Sequence, residues 1–135
     1  MISSEKLSKI RSTLLGVTGA TCLIYAVMSL LLGRPDPMPF WIPGILGFGS
    51  AALIAVAAIF AGQKNAEQAT DEGYLTDRRR AESYAYWIAL LLYPAFAVPI
   101  AKGWLGWPTA FAAMGTITGA TFLLLFVWFD TRGRS

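Results

Sequence analysis

The sequence predicts an all-α integral membrane protein, a bundle of four transmembrane helices, and three observations predict it. Four long uncharged apolar runs follow one another within 135 residues. Basic residues collect on one side of those runs, and tryptophans collect at their ends. Hydrophobic residues make up 56% of the chain and charged residues 14%, about half the charge of an ordinary soluble domain. A packed globule of this size has too little polar surface in that balance to cover a core in water. The chain reads as one domain, 1–135, of the kind found in the bacterial inner membrane.

The first run covers 13–32, about the 20 helical residues that cross a bilayer's hydrocarbon core. Lys6, Lys9 and Arg11 precede it, which resembles the start of a secretory signal. The run is longer than a usual signal core, however, and no small-residue cleavage site follows it. Around Cys22 the apolar run simply continues. It is read as a retained helix, with Gly16 and Ala20 on one face. The connection that follows holds Pro35, Pro37 and Pro39, so 33–40 is expected to be extended.

The second run, 41–61, contains a stripe of small residues: Gly44, Gly47, Ala51, Ala55, Ala58 and Gly62. Steps of three and four keep them on one helix face. Small residues let helix backbones approach closely, and lipid offers no hydrophobic drive that would do so otherwise. The stripe is expected to serve packing within the bundle, with homodimerisation as the alternative.

A charged connection, 62–83, follows. It is expected to begin and end as extensions of its flanking helices, to break at Gly73, and to restart with Thr76 or Asp77 as cap. Glu67 and Asp71 stand four apart and would share a helix face. Arg78, Arg79 and Arg80 lie just before the third run, 84–101. They read as an anchor at the lipid headgroups, or as a contact for an acidic partner. Pro94 and Pro99 each remove a backbone donor inside that run. A short turn, 102–106, makes the third and fourth helices antiparallel neighbours. The fourth run, 107–129, carries a GxxxG at Gly115 and Gly119, continued back to Ala112.

Orientation follows from the basic residues. Lys6, Lys9, Arg11, Lys64, Arg78, Arg79, Arg80, Arg132 and Arg134 fall on one side of the runs, Arg34 and Lys102 on the other. The positive-inside rule makes the first side cytoplasmic, with both termini and the 62–83 connection. Trp41, Trp104 and Trp107 mark the outer ends of runs, Trp87 and Trp128 the inner ends. That is the interfacial aromatic belt, in which an indole is half buried and its N–H stays wet.

Histidine is absent, which removes the commonest metal ligand and the usual proton carrier near neutrality. A single cysteine excludes an internal disulfide and a Cys-rich metal site. No phosphate loop, nucleophile elbow or metal-ligand spacing is present. Thr18, Thr21, Tyr25, Tyr93, Thr116, Thr118 and Thr121 are expected to bond backbone carbonyls or neighbouring helices, the alternative being a polar path. Glu82 and Asp130 read as polar residues flanking spans. No catalytic, cofactor or metal site is expected. The expected role is a non-enzymatic accessory, scaffold or assembly component. Its partners would be the bilayer and a larger membrane protein or a second copy, and not nucleic acid. The alternative is a small oligomeric transporter or channel, weighed down by the lack of an ionisable group inside any run.

Overall fold

The computed structural model describes residues 3–39 and 41–134, the last two by their backbone alone. Phe40 and the C-terminal Ser135 lie outside the described residues. Within them the chain is all-helical, with five helices, four of them long and apolar enough to cross a membrane.

Helix α1 spans Ser4–Leu32. It starts well before the uncharged run because Ser3 caps it, its hydroxyl accepting from the Lys6 N–H at 3.1 Å, with Glu5 favourably placed in the first turn. Lys6, Lys9 and Arg11 therefore ride on the same helix as the first apolar run. Helix α2, Trp41–Ala61, coincides with the second run. Gly62 ends it at a φ of 88°, a region that glycine enters without steric cost. That turn starts a short helix, α3, Gln63–Ala69.

Helix α4 spans Glu72–Ala101 and runs through both prolines as one element. The break before it is at Thr70 and Asp71, not at Gly73, and the cap is Asp71, not Thr76 or Asp77. The Asp71 carboxylate accepts from the Tyr74 N–H at 3.1 Å. Glycine in the first turn costs a helix roughly 1 kcal/mol, and an aspartate cap offsets a similar amount. Glu67 and Asp71 consequently share no helix: Glu67 accepts from Gln63 within α3 at 3.1 Å. Helix α5, Trp107–Arg134, follows the expected turn and packs along α4.

The four long helices form a bundle laid out as a row, α2–α1–α5–α4. The contact between α1 and α5 is the most extensive, and α2 and α4 each pack on one long neighbour. Gly19 sets the central approach. A Cβ added there would stand 3.0 Å from the Leu123 Cβ and 3.1 Å from Leu124, tighter than most real Cβ contacts. On the other side of α5, Phe96 of α4 packs against Ala110 and Ala113. On the other side of α1, the Thr18 and Ser50 hydroxyls meet at 3.0 Å, and Leu7 packs with Ala57, Ala61 and Ala69. Helix α3 lies across the ends of α1 and α2.

The hydroxyls within the apolar runs bond locally. Thr18, Thr21, Thr116, Thr118 and Thr121 each donate to the carbonyl four residues back. Tyr25 instead donates to the Pro35 carbonyl at 2.6 Å, strapping the proline-rich connection onto α1. Tyr93 is exposed.

Candidate functional site

Arg11 and Asp130 stand just beyond the apolar runs of antiparallel neighbours, at the end of the bundle that holds the basic residues. Both are buried, at 7% and 6% exposure. The Arg11 Nη2 donates to Asp130 Oδ1 at 3.3 Å. Ser12, one residue on, donates to the other carboxylate oxygen. The Arg11 Nη1 donates to the Ala69 carbonyl at 2.7 Å. That carbonyl ends α3, where a helix leaves its last acceptors unpaired and presents its negative pole. The guanidinium also lies 4.5 Å from the centroid of the Tyr74 ring of α4 and 5.6 Å from that of Phe126 of α5. These two rings meet edge to face. One side chain thus ties together α1, α3, α4 and α5.

Beside the pair is a cavity of about 170 Å³, lined in part by Ser8, Gln68, Asp71, Tyr74 and Asp77. The Arg11 Nε has no hydrogen-bond partner among the described residues, and a space of this size admits water, at about 30 Å³ per molecule. Asp77 lies on the early turns of α4, before the 84–101 run. Partial burial pushes its carboxyl above the usual range, and the negative charge of Asp130 adds to this, while Arg80 and Arg11 pull it back. Asp71, Asp77 and Asp130 all border this cavity, so its wall is acidic beside the buried Arg11 cation.

The structure assigns the basic cluster on α4 three separate surroundings. Arg78 pairs with Glu82 one turn on, Nε to Oε1 at 3.0 Å. Arg80 lies 4.3 Å from the centroid of the Phe129 ring of α5. Arg79 is exposed. The glycines and alanines singled out on α2 also divide. Gly47, Ala58 and Gly62 are partly buried, with Ala58 against the Leu7 cluster. Ala51 and Ala55 are exposed, and nothing stands within 4 Å of a Cβ added at Gly44. The buried face of α2 is Ser50, Ala57 and Ala61, one position round from the stripe. On α5, Gly115 and Gly119 likewise have open space beside them, and Ala112 is partly buried. On α1, Gly16 makes ordinary contact with Val127 at 3.8 Å, while Ala20 is exposed.

This division has a measurable consequence. Ala57→Leu is expected to lower stability in detergent by about 1 kcal/mol, since overpacking costs roughly that at the low end. Ala51→Leu, at an exposed position, is expected to leave the melting temperature unchanged. Equal losses in the two variants would contradict the assigned face.

No family model, curated protein or solved structure matches the chain. The site therefore stands on its own geometry. Sequence reasoning missed it by treating Arg11 as a topology charge and Asp130 as a flanking residue. The signal was there: a lone acid directly beyond one apolar run, and an Arg-Ser pair directly before an antiparallel one.

Proposed function

We propose that the chain is an integral membrane protein with four transmembrane helices and cytoplasmic termini. It acts without catalysis, as an accessory or assembly component of a larger membrane assembly. The membrane part is supported by the outward surfaces, where Leu31, Phe48 and Ile59 are 78–83% exposed. Water would penalise apolar patches of that extent, whereas lipid accepts them. All five tryptophans are exposed as well, at the run ends where an aromatic belt would lie. Pairing with Asp130 cancels the charge of Arg11, yet the other basic residues keep the same asymmetry.

The observation that carries the accessory role is the row itself. Helices α2 and α4 end it, and each has only one long neighbour. Their outer faces remain free for a partner's helices, and Ala51 and Ala55 on α2 are small enough for close approach. A second reading, a small oligomeric transporter or channel, has one observation in its favour. The buried Arg11–Asp130 pair borders a cavity large enough for water, and ionisable groups near membrane depth commonly mark ion or proton paths.

A photo-crosslinking residue placed at Phe48 on α2, or at Leu91 on α4, distinguishes the two in native membranes. A discrete adduct with one different membrane protein is expected. An adduct of twice the chain's mass would favour the oligomeric transporter, and no adduct at either edge would remove the basis of both. Topology is checked with single cysteines at Ser4, Asp36 and Asn65 in a Cys22-free background. Only the one at Asp36 is expected to react with an impermeant thiol reagent on intact cells. Labelling at Asn65 would reverse the orientation.

A further inference from the structure

A groove of about 630 Å³ runs between α1 and α2, lined by no residue of α5. Its walls are apolar: Ile10 from α1, with Leu53, Val56 and Phe60 from α2. At one end stand Lys6 and Lys9. The end with the lysines is the cytoplasmic end in the proposed topology, so the groove descends from headgroup level into the hydrocarbon. Spaced three residues apart on one helix, the two ammonium groups point to the same face. Lys9 reaches Glu5 at 3.6 Å, but both side chains are well exposed, and such pairs are weak competitors. Lys6 forms no ion pair among the described residues.

We infer that this groove binds one anionic phospholipid, an acyl chain lying against Ile10, Leu53, Val56 and Phe60 and the phosphate held between Lys6 and Lys9. The inference rests on the membrane reading above. Charge complementarity selects the occupant. A neutral helix of a partner would fill the apolar part and leave two lysines unused, whereas an anionic lipid satisfies both ends of the groove. Basic pockets between helices on the cytoplasmic side are the recurrent form of such sites.

The test reconstitutes the purified chain in bilayers of equal parts phosphatidylglycerol and phosphatidylethanolamine with matched acyl chains. Lipid retained after extraction in mild detergent is then counted by native mass spectrometry. Retention of one phosphatidylglycerol in preference to phosphatidylethanolamine is expected. Each basic residue near an anionic headgroup contributes severalfold to binding. Lys6→Gln with Lys9→Gln is therefore expected to reduce the preference roughly tenfold, and Lys64→Gln, a charge loss elsewhere on the same side, to leave it intact. Val56→Trp fills the groove with both lysines in place and is expected to abolish retention. Equal retention of the two lipids, an equal loss from Lys64→Gln, normal retention by Val56→Trp, or a second copy of the chain in place of lipid would each overturn the site. Alkaline carbonate treatment separates this from failure of the membrane reading. A chain released by carbonate refutes the membrane reading itself, whereas one that stays embedded without lipid preference refutes only the site.

Discussion

Asp130→Ala is expected to destabilise the protein by about 3–5 kcal/mol, the usual cost of leaving a buried charge without its partner. Arg11 would keep its bond to the Ala69 carbonyl but lose the carboxylate it pairs with at 3.3 Å. Two aromatic rings flank the guanidinium, and the small cavity beside Asp71 and Asp77 offers it only a few waters in place of the lost carboxylate. Ser12 would lose its acceptor at the same time. Arg11→Met with Asp130→Leu removes both charges and is expected to regain most of the loss, because apolar replacement of a whole buried pair is often neutral. The charge swap, Arg11→Asp with Asp130→Arg, behaves differently. It restores opposite charges but places no donor on α1 for the Ala69 carbonyl, so it should remain close to the single variant. Thermal unfolding in detergent followed by circular dichroism measures all three. A wild-type transition in Asp130→Ala would show that the pair contributes nothing to holding the ends together.

The four long helices were readable because uncharged apolar runs of this length announce themselves. The bounds of α2 agree with its run residue for residue. Which face each helix turns inward was not readable, and α2 shows why. In water an amphipathic helix separates a polar from an apolar side, but here both the exposed side and the packed side are apolar. Alanine and glycine occur all round α2, so steps of three and four pick out more than one stripe. Only the contacts with Leu7 and Thr18 select Ser50, Ala57 and Ala61 over Ala51 and Ala55. The order of the row was hidden for the same reason, except where a five-residue turn forced α4 beside α5. The site was half readable. A basic residue before a span looks the same whether it faces headgroups or an acid 119 positions away, and nothing local distinguishes Arg11 from Lys9. The same holds for Arg80, whose aromatic partner, Phe129, belongs to another helix.

Gly19→Leu is the second change with a large expected effect, a loss at or above the upper end of the roughly 1–3 kcal/mol that overpacking costs. Helix α5 packs closely against α1 at this glycine, and the obstruction is not the far end of a flexible chain. The Leu123 Cβ stands 3.0 Å from where the new Cβ would be, and that atom moves only if the α5 backbone moves. The Leu124 side chain fills the space beside it, so no rotamer of the new leucine points into a void. Any separation of α1 from α5 acts on the whole row, since α2 is attached through α1 and α4 through α5. It would also lengthen the Arg11–Asp130 contact at the end of the same helix pair. Gly19→Ala should give a smaller loss, graded with the bulk added. Gly115→Leu provides the comparison, because open space surrounds that glycine, and it is expected to melt as the parent does. If Gly115→Leu were the damaging change and Gly19→Leu the silent one, α5 would be turned the other way and the assigned centre of the bundle would be wrong.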